Sequence, residues 1–482
     1  MPETAAKSGC YFVAAALCLC LIAGLLRIVP LLVHEPLIAL ANSYDEVRYT
    51  ACFDLYPDRP GEIDPTRNSP DAPYAHYAFA NNPAPMCYWS TELLFQAAAA
   101  GIYHLQHRFV GATSFSVRWV GAFKLAALLA LWFAFSIAFI RRGEPWSALA
   151  NGLLLPLVFA DPADTIYLNT FYAEWTALLA LYAVIGLLVL HAERAYTRVA
   201  TALLALAAFA LALAKIQHLL LPLACASVVL LVDWLRLRRW SWRGGALLLG
   251  ALVGLSVQVA QLRRDSPAIE AINHFNRADV TFTALLPYAR DPAATAQQLG
   301  LAPDCLRYIG KSAWQISAWP DVECPQLANV TRARELATLA REPDLFVRLW
   351  WHGLTSLEPW LAPGLGTVEG GDFAPLPQEF FSLSRVLSAM PVWRLPPLAA
   401  PFAVCLWLLW RGRWRAAPRL LLLSALACVV MLATLTITVL GDGLADVPKQ
   451  GHLIPNMALA WWICILVATL GWWTQPRRQA TA

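Results

Sequence analysis

The chain has 482 residues, 59% of them hydrophobic and only 14% charged, with 21 Trp and a positive mean hydropathy. A soluble protein of this length has too little interior for so many apolar runs, so the composition points to an all-α polytopic membrane protein. The net charge of +4 is small and unevenly spread; it is a topology signal and gives no reason to invoke nucleic acid.

A helix crosses a hydrocarbon core of about 30 Å with about 20 apolar residues. Ten runs approach that length, near 10–33, 116–140, 146–160, 174–191, 199–214, 216–234, 245–262, 396–410, 418–440 and 455–474, the third, fifth and eighth being short. They divide the chain into a seven-span core over 1–262, a loop domain over 263–396 and a three-span segment over 397–482. Short basic connections, "RRGEP", "HAERAYTR", "RLRRWSWR", "RGRWRAAPR" and "PRR", each follow an even-numbered span. By the positive-inside rule those connections and both termini are cytoplasmic. The first run follows Lys7 and lacks a small-residue cleavage site, so it reads as a retained signal anchor.

The opposite face takes the longer connections. The first, 34–112, begins with "ANSYDEVRY", which sets Asp45 and Glu46 just beyond the first span. It also carries Cys52 and Cys87, while Cys305 and Cys324 share the loop over 263–396. An even count in each exported loop suggests two disulfides in an oxidising compartment. Between the third and fourth spans, "ADPADTIYLNTFYAEW" brings Asp161, Asp164, Tyr172 and Glu174 to the membrane boundary. Glu174 starts a helix, where the dipole alone would favour it. Lys215 and His218 bracket the tight turn "KIQH"; Lys215 suits a phosphate or a plain interfacial anchor. In the loop over 263–396, Asn276 and Arg277 are placed to reach a donor phosphate or to form a structural ion pair, and "TRARELATLAREPDLFVRLWWHGL" reads as helix. The last outer loop, "GDGLADVPKQGH", adds Asp442, Asp446, Lys449 and His452. Ionisable groups at several helix mouths on one face are costly unless they serve a function.

Outside the cell membrane there is no nucleotide sugar, so an enzyme there draws activated sugar from a lipid carrier. Such transfer needs a carboxylate to take the acceptor proton and cations to hold the departing phosphate. Asp45 suits the base, with Glu46 or Glu174 orienting the acceptor or holding a divalent cation. No Gly-rich nucleotide loop or Cys/His zinc spacing occurs.

At these residues the chain resembles the GT-C superfamily of membrane glycosyltransferases, marked by an acidic motif after the first span. More specifically it resembles a bacterial branch that includes the hexose transferases of surface-layer glycan synthesis. The matching stretches are "YWSTELLF" (88–95), "YLNTFYAEW" (167–175), "FNRADVTFTALL" (275–286) with "QQLGLAPDCLRYIGKSAW" (297–314), and "GDGLADVPKQGHL" (441–453). Ala173 stands where a Ser is expected, and Gln450-Gly451 interrupts a usual Lys-His pair. The resemblance implies an inverting transferase in a bacterial inner membrane, facing the periplasm. Its donor would be a polyprenyl-phosphate sugar and its acceptor a glycan or lipid-linked saccharide. A glycan polymerase or ligase is the alternative, and a flippase or transporter a third reading.

Overall fold

The computed structural model describes residues 2–39, 43–58, 73–79, 87–193, 196–238, 240–264, 267–316, 320–357, 360, 364, 366–369, 371, 374–390 and 396–474. The side chains of 2–10, 43–45, 267–268, 271, 396, 414 and 474 lie outside that description.

About 75% of the chain is helical. The main helices of the first part are α1 (Pro2–Leu32), α2 (Ser43–Thr50), α3 (Leu93–Val110), α4 (Arg118–Arg141), α5 (Pro145–Leu154), α6 (Pro162–Thr165), α7 (Glu174–Leu190), α8 (Arg198–Ala214), α9 (Leu221–Leu237), α10 (Trp242–Leu262) and α11 (Pro267–Asp279). Then come α12 (Arg332–Arg341), α13 (Pro343–Thr355), α14 (Pro396–Trp410), α15 (Pro418–Asp442), α16 (Val447–Gln450) and α17 (Leu453–Thr474). Among the described residues, 6 helices are long and apolar enough to cross a membrane, namely Tyr11–Leu32, Arg118–Arg141, Ile216–Leu237, Trp242–Leu262, Pro418–Asp442 and Leu453–Trp473. The other four predicted runs also form apolar helices, but these have only 10–17 residues. The protein is therefore an integral membrane protein. Its backbone polar groups are satisfied within helices, as the bilayer requires.

Small residues set the closest helix approach. A Cβ on Gly250 of α10 would fall 2.1 Å from the Ala205 carbonyl of α8, and one on Gly254 would fall 2.4 Å from the Ala212 Cβ. Only glycine permits that contact, a pairing typical of helices in lipid.

The two ends of the bundle differ in charge. At one end, Arg419 donates to both Glu144 oxygens at 2.8 Å, Arg142 donates to the Leu190 carbonyl, and Arg236 donates to the Ala192 carbonyl at 3.4 Å. The basic connections after α4, α7 and α9 and before α15 thus meet. At the other end α2, the segment before α3, the 161–173 hairpin, the 215–218 turn and α16 converge.

Two features went unread in the sequence. The first loop supplies two strands, β1 (Leu55–Pro57) and β2 (His76–Phe79), and the residues just past it a third, β3 (Phe115–Ser116), in one antiparallel sheet with Leu55 opposite Phe79 and Tyr77 opposite Phe115. The helix expected to run to about 354 is instead two, α12 and α13, because Pro343 removes a backbone donor and crowds the preceding turn. Both disulfides, Cys52–Cys87 and Cys305–Cys324, are present.

Candidate functional site

The segment Tyr88–Glu92 is strapped across the bundle by its own polar side chains. Tyr88 Oη donates to Gln258 Oε1 (2.7 Å), Ser90 Oγ to the Ala214 carbonyl (2.5 Å) and Thr91 Oγ1 to the Ala210 carbonyl (3.0 Å). Cys52–Cys87 and the Tyr88 N–H bond to the Arg48 carbonyl (2.8 Å) tie this segment to α2. The strap delivers Glu92 into the protein, where Glu92 Oε1 lies 2.8 Å from Lys124 Nζ of α4 and Oε2 accepts from Thr176 Oγ1 at 2.5 Å. Both members of that ion pair are 0% exposed.

Lys124 does a second job. Its ammonium also donates to the carbonyls of Tyr167, Thr170 and Tyr172 at 3.3, 2.9 and 3.3 Å. Four acceptors around one cation satisfy a charge that burial alone would make costly. They also hold the hairpin's carbonyls inward, which aims the Tyr167 and Tyr172 rings. Glu46 supports the same hairpin from α2, accepting from the Phe171 N–H at 3.4 Å.

Beside this lies a second cation pair. Lys215 Nζ donates to Glu174 Oε1 (2.7 Å) and to Gln450 Oε1 (3.4 Å), and Gln450 Nε2 donates on to Asp442 Oδ2 (3.1 Å). Lys449 Nζ pairs with Asp446 at 3.1 Å and sits 5.0 Å from the Tyr172 ring centre. The imidazoles of His218 and His452 face each other edge-on at 6.1 Å. Glu174 Oε2 and the Tyr172 hydroxyl are buried there without a hydrogen-bond partner. Buried polar atoms are normally paired, so these two atoms are available to hydrogen-bond a polar ligand.

Burial shapes the acidities of the groups outside the spans. It pushes Glu46 up to about 8 and Glu92 up to about 7, against the pull of the Phe171 N–H on the first and of Lys124 on the second. Burial also lowers Lys215 to about 8, with Glu174 pulling the other way. For Lys449 burial again opposes the charge, but Asp446, Tyr172 and Glu174 prevail and hold it above the ordinary lysine value.

Glu46, Tyr172, Glu174, Lys215, His218, Lys449 and His452, expected from four separate stretches, are thus gathered at one end of the bundle. Asp45 stands next to Glu46 on α2, but its side chain lies outside the described residues. Three expected residues lie elsewhere, two of them with partners of their own. Asp161 caps α6 through the Ala163 N–H (3.0 Å), accepts from Ser382 Oγ (3.0 Å) and the Ser384 N–H (3.1 Å), and lies 3.7 Å from Arg27. Arg277 on α11 donates to the Leu327 and Ala328 carbonyls and stands 3.8 Å from Asp321, which ties its own lobe together. Asn276 is half-buried beside it. Two residues were missed, Glu92 and Lys124. Glu92 lies inside the quoted "YWSTELLF" stretch, and a lysine six residues into an apolar helix needs a partner. Among the described residues no three His, Cys, Asp or Glu side chains are grouped to hold a metal ion.

The family model of the YfdI N-terminal transmembrane domain matches residues 3–329 of this chain. No curated protein and no solved structure matches it. With more than half its length matched, the chain belongs to the YfdI N-terminal transmembrane domain family.

Proposed function

We propose that this family member is an inverting glycosyltransferase that moves a hexose from a polyprenyl-phosphate donor to a glycan or lipid-linked acceptor, at the periplasmic face of a bacterial inner membrane. The observation that supports it most is the convergence of Glu46, Glu92 and Glu174 with Lys124, Lys215 and Lys449 at the bundle end opposite the basic connections. Proton acceptors and phosphate-binding cations side by side, at membrane depth, suit a substrate whose phosphate is fixed to a lipid.

In this reading the acceptor hydroxyl attacks the anomeric carbon and its proton passes to Asp45. The bond from that carbon to the phosphate oxygen breaks with inversion, and the polyprenyl phosphate leaves carrying the electron pair. Lys449 and Lys215 offset the charge gathering on that phosphate. Lys124, through the Tyr167, Thr170 and Tyr172 carbonyls, holds the hairpin that presents Tyr172. Glu174 Oε2 and the Tyr172 hydroxyl are free to bond sugar hydroxyls.

The test is reconstitution. Purified protein in liposomes, given a polyprenyl-phosphate hexose with a radiolabelled sugar and an envelope glycan fraction as acceptor, should transfer label with inverted anomeric configuration. Label that remains on the lipid across a panel of such donors, in vesicles with folded protein, would remove the proposal.

A further inference from the structure

A cavity of about 410 Å³ lies inside the bundle, away from the polar cluster, between α4, α5, α7, α15 and α17. Its walls are almost wholly apolar, with Phe139, Trp146, Leu154, Leu181 and Ile185 among them. Along α17 it extends from Asn456 to Ala468. Those 12 steps at about 1.5 Å each make about 18 Å, close to the depth of one leaflet, about half of a core of about 30 Å.

One end of the cavity is charged and the other is closed to a charged ligand. At the basic end of the bundle it reaches Glu193 and Arg419. At the far end it stops at Val158, Phe159 and Asn456, and Asn456 Nδ2 is held by Asp164 Oδ1 at 2.8 Å. Burial raises the Asp164 pKa above the ordinary carboxylate value, so that end disfavours a charged group. Protein interiors are packed to near-crystalline density, and large apolar cavities take up hydrocarbon rather than water.

We infer that this cavity holds one acyl chain of a bilayer phospholipid, drawn from the leaflet at the basic end, with its headgroup at Arg419 and Glu193. Length, lining and the position of the charged mouth select that occupant. A polyprenyl chain whose phosphate sat at the Lys215–Lys449 cluster would have to enter from the opposite end, past Asp164 and Asn456. The inference does not depend on the proposed transfer activity. A chain seated here would brace α5, α7 and α17 directly beneath the hairpin that carries Asp164.

Native mass spectrometry of the full chain, purified in a mild detergent, tests it. The wild type should retain one phospholipid per chain. Ala150→Phe and Ala460→Phe, which fill the cavity from α5 and α17, should lose it, whereas Leu181→Ala, which enlarges the cavity, should keep it. Should the filled variants not fold, delipidated wild type should still gain thermal stability when dioleoyl-phosphatidylethanolamine is added back in the same detergent. A wild type that carries no phospholipid, one that carries a polyprenyl phosphate instead, or filled variants loaded like the wild type would each overturn the inference.

Discussion

Replacing Lys124 by methionine removes one charge and keeps the length and most of the volume of the side chain. In the native protein that charge is fully buried, 2.8 Å from Glu92, and serves three carbonyls of the 167–172 hairpin. The variant leaves a buried carboxylate uncompensated and three carbonyls short of a donor. Breaking one side of a buried ion pair costs about 3–5 kcal/mol. Glu92→Gln is milder, because Lys124 keeps its carbonyls and Thr176 keeps an acceptor; about 1–3 kcal/mol is expected. The double variant should be less destabilised than the sum of the two, since each change removes the partner the other would strand. Unfolding by denaturing-detergent titration in mixed micelles gives all three numbers. A Lys124→Met variant within about 1 kcal/mol of the wild type, below the cost expected of any broken buried pair, would refute the view that this cation organises the hairpin.

The Glu46 and Glu92 contribution to stability should fall as pH rises from about 4.5 to about 8, while His452, whose pKa burial lowers, contributes with the opposite sign in the acid part of that window. Glu46 and Glu92 are raised on folding, so the native state binds more protons than the unfolded state across that window; the slope is at most about 1.4 kcal/mol per pH unit for each group. The stability of the wild type relative to Glu46→Gln should therefore fall as pH rises through that window, and a difference that grows in favour of the wild type would contradict the burial argument. Reporter fusions at Asp291 and Gly310 should read periplasmic, and one at Arg413 cytoplasmic; Asp291 and Arg413 reading alike would sink the topology. The bridges close spans of 35 and 19 residues, each contributing roughly 3 kcal/mol in the loop-entropy model. Cys52→Ser/Cys87→Ser should depress transfer more than Cys305→Ser/Cys324→Ser at matched folded protein, because the first pair ties α2 to the Glu92 strap. Equal effects would show that the strap is not part of the site.

Apolar runs in the sequence marked the six helices long enough to cross a membrane and the four shorter apolar ones, because a helix satisfies its backbone internally where water is absent. The short elements outside them were hidden for a different reason. A three-residue strand such as Leu55–Pro57 carries no period to read, and its partner Phe79 lies 24 residues on. Glu46, Glu174, Lys215 and Lys449 were legible because a charge at the mouth of an apolar run stands out. Lys124 was visible but unassigned, since its partners are mostly backbone carbonyls from another hairpin, which no side-chain pattern reports. Asp161 and Arg277 show the converse. Each has the right charge at a plausible depth, and each is engaged by a cap or by carbonyls of its own lobe.

Transfer of labelled hexose from a polyprenyl phosphate, measured in liposomes for the wild type, Asp45→Asn, Lys449→Met and the distant control Arg385→Lys, tests the central claim most directly. Asp45→Asn removes the proton acceptor and should slow transfer by roughly 10²–10⁴-fold, Lys449→Met should slow it comparably with donor still bound through its chain, and the control should stay near the wild type. Wild-type transfer that persists in both Asp45→Asn and Lys449→Met would contradict a reaction carried out at this cluster.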